Sequence, residues 1–287
     1  MYNLLSAYFT KLFKDKLFWL IECVIVLWAS YVFWLARQQF VYGMHHVNEV
    51  FHTNPYFFNV SIWLGISLAL YSAYFTGTEY HDGVLRNQII SGHRRSVIYL
   101  SHYLLILLTG IMQAAAYYLV FIIADSFFLG FSVIHMLVKP AEYILLIFLA
   151  LLGYSAVFSC FSILLANKSA AVFIQLLLAI LMLYFGFATV TSLQEPETVV
   201  TNTYYGEHRR IPNPKYLTGT KREVYEWADA FLPSSLILHG VMTDKNGIMT
   251  DKKDGAPFHV KIPVGATLLT VCFTAFGLYG FSQKDLK

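Results

Sequence analysis

Apolar residues recur along this chain in blocks too long for a soluble core. Leu17–Ala36, Phe57–Phe75, Leu104–Phe127, Ile144–Ala166, Ala170–Leu193 and Ile262–Phe281 are the six such blocks. Each supplies the roughly 20 apolar positions that a helix needs to cross the hydrocarbon of a bilayer. Helices buried in soluble proteins rarely run this long without a polar face, and barrel strands would be shorter and alternating. The pattern predicts an all-α polytopic membrane protein with six transmembrane helices. The first block exceeds the apolar core of a cleaved signal, and Trp34-Leu35-Ala36-Arg37 is a poor cleavage site, so it is read as a retained span.

The segments between the blocks carry their own patterns. In residues 1–16, Leu4, Leu5, Tyr8, Phe9, Leu12 and Phe13 fall at helical spacing beside Lys11, Lys14 and Lys16. This is an amphipathic helix suited to lying in the membrane interface. Residues 79–103 form the most polar stretch between spans. There Gly83 breaks the arriving helix, Val84, Leu85, Ile89 and Ile90 define a two-turn helix, and Gly92 fits a left-handed cap. Arg94 and Arg95 then sit where lipid phosphates favour them. A short helix with exposed apolar residues needs a cover, either a partner protein or the N-terminal helix. Residues 194–261 predict a small ordered α+β cap between spans five and six. Thr220-Lys221-Arg222-Glu223 is a capping box that starts an amphipathic helix ended by Pro233. Val199–Tyr205 favours a strand, Asn246-Gly247 signals a hairpin turn, and Leu236, Ile237 and Leu238 suggest a return into the membrane.

Composition and charge sharpen this picture. The chain of 287 residues is 57% hydrophobic and only 13% charged, against about 25% charged for a soluble domain, so lipid is the main solvent. The net charge of +3 is small, and no nucleic-acid partner is expected. Lys11, Lys14, Lys16, Arg86, Arg94, Arg95, Lys168, Lys284 and Lys287 share one side of the predicted topology, with only Arg37 and Lys139 in short loops on the other. Both termini are therefore expected to be cytoplasmic and the cap extracellular. Cys23, Cys160 and Cys272 all lie inside apolar runs, as packing residues would.

Candidate chemistry is sparse. No P-loop, no Gly-x-Ser-x-Gly and no His-Glu-x-x-His sequence occurs, so the chain is expected to be neither an ATPase nor another enzyme. His45, His46 and His52, with Glu49, cluster after the first span, but their spacing matches no known metal site. Glu22 is the most embedded carboxylate and is a functional candidate by default. It can also reach the interface or pair with Arg94 or Arg95. Glu22 and Asp125 do not make a proton relay, which a secondary carrier would need. A receptor or scaffold using the cap is the other alternative.

Six spans, an interfacial N-terminal helix and a long loop before span six resemble the ABC type-2 exporter permeases. Glu79, Gly83-Val84-Leu85-Arg86, Gly92 and Arg94-Arg95-Ser96 resemble that family's Glu, Gly-Thr-Leu-Arg, turn and Ser-Arg pattern, with Val84 replacing the Thr. Phe281-Ser282-Gln283-Lys284-Asp285-Leu286 looks like its short tail. The resemblance implies four regions: a connecting helix at 1–16, spans one to five at 17–193 with a coupling segment at 79–103, the cap at 194–261, and the sixth span with its tail at 262–287. Residues Gly83–Gly92 would be a coupling helix docking on a separate nucleotide-binding ATPase, with Glu79, Glu22, Arg94 and Arg95 supporting the junction. ATP and Mg would be bound by that partner and no cofactor by this chain. The working unit would be two permeases, alike or homologous, and two ATPases in a bacterial plasma membrane. The expected cargo is hydrophobic or amphipathic, such as an antimicrobial peptide.

Overall fold

The computed structural model describes residues 2–45, 54–135, 137, 140–202, 208–241 and 261–284. The elements run α1 (Tyr2–Lys14), α2 (Lys16–His45), α3 (Asn54–Phe57), α4 (Ser61–His81), α5 (Val84–Ile90), α6 (Arg95–Leu129), α7 (Ser132–His135), α8 (Pro140–Leu164) and α9 (Lys168–Leu193). They continue with β1 (Thr198–Asn202), β2 (His208–Pro212), α10 (Gly219–Phe231), α11 (Pro233–Val241) and α12 (Lys261–Gln283). Among the described residues, six helices are long and apolar enough to cross a membrane: α2, α4 with its lead-in, α6, α8, α9 and α12. Their apolar character has no polar face to turn outward, so the bundle presents Leu27, Phe173, Tyr184, Val271 and Tyr279 on its outside, as lipid contact requires.

The centre of the bundle is α8, which packs against α4, α6, α11 and α12, while α2 lies on α6 and α9 on α4. Helices close on one another where side chains are small. A Cβ on Gly77 would meet the Lys168 backbone, so α4 and α9 touch almost main chain to main chain. Spans two and three both run longer than the hydrophobic pattern indicates. The second continues past Phe75 to His81, and the third begins at Arg95 rather than Leu104. The reason is that polar residues there, Glu79 and His102, are buried and face one another across the helices instead of facing water.

Opposite ends of the bundle differ. One end carries α1 and α5. Helix α1 turns Leu4, Tyr8 and Leu12 inward and leaves Phe9 and Phe13 exposed, so the predicted stripe is divided between two surroundings. Asp15 joins it to α2 by accepting the Leu17 N–H at 2.9 Å, a side-chain cap at the helix start. The other end carries the β1–β2 ribbon and the α10–α11 hairpin. The ribbon is antiparallel, with Val199 opposite Ile211 and Asn202 opposite His208. The capping box is not used as expected: α10 begins at Gly219, which is left-handed, with Thr218 at the N-cap and no side-chain capping bond. Glu226, one turn on, instead accepts from Arg222 at 3.2 Å and from Lys261 at 2.8 Å. Asn246-Gly247, Asp285 and Leu286 lie outside the described residues, as do residues 203–205 of the expected strand.

The hairpin reaches far into the bundle. Helix α11 packs between α8 and α9 with Leu236, Ile237 and Leu238 buried. Its tip sits on three glycines from three spans: Gly153 faces Pro233, Gly186 faces Ser234 and Ser235, and Gly265 faces Ala230. Gly153 lies about 20 Å from the start of α8 at 1.5 Å per residue, which is half the helix. Asp229 and His239 brace the hairpin, with His239 Nε2 at 3.0 Å from both carboxylate oxygens.

Candidate functional site: the α5 junction

Two glycines present α5. Gly83 has φ of 68° and Gly92 has φ of 89°, a region that residues with a Cβ enter at a cost. Each ends a helix and lets the chain turn sharply. At the far end of α5 the Gly92 N–H donates to Ile89 O at 3.0 Å and the His93 N–H to Gln88 O at 3.1 Å. This is a Schellman cap, which satisfies carbonyls a helix end would otherwise leave open. The seven residues between are sorted by face. Leu85 is buried against α4 and α6, Val84 and Ile89 are half-buried, and Arg86, Asn87 and Ile90 are exposed. Ile90 shows 72% of its surface, which is large for an isoleucine at a helix end.

Beneath α5 lies a buried polar cluster drawn from four elements. Glu79 of α4 has no exposed surface, and its Oε1 accepts from Lys11 Nζ of α1 at 2.9 Å. Its Oε2 lies 2.9 Å from Nε2 of His102 on α6. The same Nε2 is 3.0 Å from the Tyr8 hydroxyl of α1, and that hydroxyl donates to Gln88 Oε1 of α5 at 2.9 Å. An ionised carboxylate only accepts, so the nitrogen facing it carries the proton. Nδ1 is then free to accept from Thr76 Oγ1, 3.4 Å away. Burial first, and then the Glu79 charge, hold the Tyr8 phenol well above its ordinary pKa, so it remains a donor to Gln88. Rings of Tyr8, Phe75 and His102 pack edge to face around this cluster, and Lys11 sits 4.8 Å above Phe75. A buried carboxylate needs such pairing, because an unpaired one costs several kcal/mol.

The sequence-derived residues separate here. Gly83, Val84, Leu85, Arg86, Ile89, Ile90 and Gly92 share one short element, and Glu79 lies at its base. Arg94 is exposed and is the N-cap of α6. Arg95 turns away from α5: its Nη1 donates to the carbonyls of Phe281, Ser282 and Lys284 at 2.9, 3.0 and 2.6 Å. Glu22 therefore does not pair with Arg95. It is 8% exposed, and neither of its carboxylate oxygens has a hydrogen-bond partner among the described residues. Asp125 accepts from the Ile134 N–H at 3.1 Å and so holds the α6–α7 turn. His46, Glu49 and His52 lie outside the described residues, as does the His45 side chain. Among the described residues, no group of His, Cys, Asp or Glu could hold a metal ion. Gln88 and His102 were not singled out from the sequence, and Tyr8 and Lys11 entered as members of the amphipathic helix of residues 1–16, not as site residues.

A family model described as ABC-2 family transporter protein matches residues 24–242. No curated protein and no solved structure matches the chain.

Proposed function

Because the chain belongs to the ABC-2 transporter family, we propose that it is the permease subunit of an ATP-driven exporter whose ATPase docks on α5. The α5 end is then cytoplasmic, the hairpin end forms the extracellular cap, and the membrane is a bacterial plasma membrane. Two such permeases and two nucleotide-binding subunits form the working unit, with ATP and Mg held by the ATPases. Family membership supports association with an ABC ATPase and a multi-pass membrane protein.

The observation that carries this reading is the mounting of α5. A seven-residue helix cannot stand alone in water, yet this one is fixed at both ends by left-handed glycines and beneath by Leu85. It still directs Arg86, Asn87 and Ile90 outward. Exposed apolar surface on a rigid mount suits a protein partner. The Lys11–Glu79–His102–Tyr8–Gln88 cluster ties that mount to α1, α4 and α6, so a push on α5 is delivered to three helices at once. The cargo is hydrophobic or amphipathic, and an antimicrobial peptide is the leading class.

Recovery of the tagged chain from gently solubilised membranes tests this. A stoichiometric nucleotide-binding subunit is expected with the wild type, and Ile90→Asp removes it while insertion is unchanged. Leu85→Asp is less informative, because Leu85 faces the bundle and its loss unseats α5 itself. Recovery of the intact chain with no ATPase sinks the reading.

A further inference from the structure

Helix α5 contacts α4 and α6, which themselves pack on α8, and α6 also packs on α12. That packing is apolar and non-directional. The residues flanking α5 add directional bonds to it. Tyr80 lies three residues before Gly83, and Arg95 lies three residues after Gly92. Arg95 holds the C-terminal carbonyls of α12 through the three bonds described above. Lys284, at the end of α12, donates to Ile163 O at 2.8 Å, Leu164 O at 3.0 Å and the Tyr80 hydroxyl at 3.0 Å. Tyr80 in turn donates to Ile163 O at 2.5 Å. The bonds thus run from α6 to α12, from α12 to α8, and from α8 back to α4.

The chemistry suits a strut. The last carbonyls of a helix have no partner within it and form the negative end of its dipole. The ends of both α8 and α12 are satisfied by a cation from a neighbouring element. Arg95 brings a single nitrogen, Nη1, within hydrogen-bond distance of three carbonyls, which share its two N–H bonds. Lys284 and Arg95 also lie over the rings of Tyr80 and Phe281, at 4.4 and 5.9 Å. Helix α12 lies close on α6 beside these bonds: a Cβ on Gly277 would strike the Tyr99 ring.

We propose that Arg95 and Lys284 are positioning residues, a clasp through which displacement of α5 is passed to α12 and α8. The proposal rests on the ATP-coupled reading above. A mere staple would weaken assembly, hydrolysis and stability together. A transmitting clasp separates them, because the α5 docking face stays intact when Lys284 is lost.

The test uses the full chain with its co-purified ATPase in lipid nanodiscs. Cys23, Cys160 and Cys272 are replaced by Ala, and one cysteine is placed at Val264→Cys, an exposed position at the far end of α12. Labelling by a maleimide is timed with and without trapping by ATP and vanadate. Trapping is expected to change the labelling rate in the parent chain. Lys284→Met should return the ratio of rates to unity while ATPase recovery and hydrolysis stay at the parent level. Lys284→Arg, which keeps the charge and donors, should restore the change. If Lys284→Met fails to insert, Arg95→Met serves, since it removes the bonds from α6 to the end of α12 and leaves those of Lys284 in place. Trp34→Cys, exposed on α2, is the control and should still respond in both variants. A parent-like change at Val264→Cys in Lys284→Met overturns the clasp, as does no change in the parent. Failure of the parent chain to recover an ATPase overturns the exporter reading itself.

Discussion

Gly265→Ala isolates the seating of the hairpin. The new Cβ would lie 2.6 Å from Ala230 O and 2.7 Å from its carbonyl carbon and Cβ. All three atoms belong to or lie next to backbone, so no flexible tip can swing aside. Reaching ordinary contact requires α10 and α12 to part by about 0.8 Å, and overpacking of this kind costs about 1–3 kcal/mol. Alanine in a helix returns about 1 kcal/mol relative to glycine. The net expectation is a loss of about 0–2 kcal/mol. Gly280→Ala is the matched control. Its Cβ would press only on the end of the Leu164 side chain, with the next atoms at 3.7 Å, so a small rotation relieves it and the propensity gain remains. Thermal unfolding in one detergent ranks the two variants. Gly265→Ala should unfold below the wild type and Gly280→Ala at or above it. Equal midpoints would refute the claim that main chain meets main chain at this seat.

The polar contacts give three further expectations. Lys11→Met leaves Glu79 with one partner in place of two, so it should lower stability by about 1–3 kcal/mol. Lys11→Arg should recover most of the loss in the same detergent unfolding assay. Asp229→Ala strips both acceptors from half-buried His239 and should cost about 1–3 kcal/mol, with Asp229→Asn intermediate. The Glu226 contacts predict a pH dependence. Its hydrogen bond with Lys261 is the largest effect and, with Arg222, holds the carboxyl below its ordinary value of 4.5. A lowered carboxylate contributes above the ordinary value and is lost as pH falls through the lowered one. Hydrogen-exchange protection of residues 219–231, corrected for intrinsic rates, should be flat from neutral pH to about 5 and fall below that. Protection that falls between pH 7 and 6 would overturn Glu226 as its source.

What could be read from the sequence was local. The six spans follow from apolar runs, and α5 follows from Gly83 and Gly92 bracketing Val84–Ile90, because left-handed turns leave a mark in the chain itself. The polar cluster beneath α5 could not be read this way. Tyr8 meets Gln88 across 80 positions and His102 across 94, and Lys11 meets Glu79 across 68. Each of these residues alone fits an ordinary interfacial role. The stripe in α1 showed that a helix forms, but not that its Tyr8 side would be buried and its Phe9 side exposed. The hairpin seat was equally silent: Gly153, Gly186 and Gly265 stand in separate spans and look like any small residues in an apolar helix. Glu22 shows the opposite error. Its distance along the helix allowed a partner at the interface, whereas Arg95 is occupied by the end of α12.

The two ends of the bundle are held by different physics, and this bears on how it could move. At the α5 end the contacts are charged or polar: Lys11 to Glu79, His102 to Glu79 and Tyr8, Arg95 and Lys284 to helix carbonyls. Arg95 and Lys284 can exchange partners, because each has several acceptors within a short reach. At the hairpin end polar ties such as Glu226 to Lys261 are joined by a steric seat, with Pro233, Ser234–Ser235 and Ala230 laid on glycines of three spans at once. A close-packed seat has one fit, and it transmits displacement without absorbing it. A stimulus arriving at α5 would therefore rearrange bonds at that end and shift α8, α9, α12 and the hairpin together at the other. On this argument the variants that uncouple ATP hydrolysis from transport cluster around α5, and those at the glycine seat reduce stability and transport in proportion.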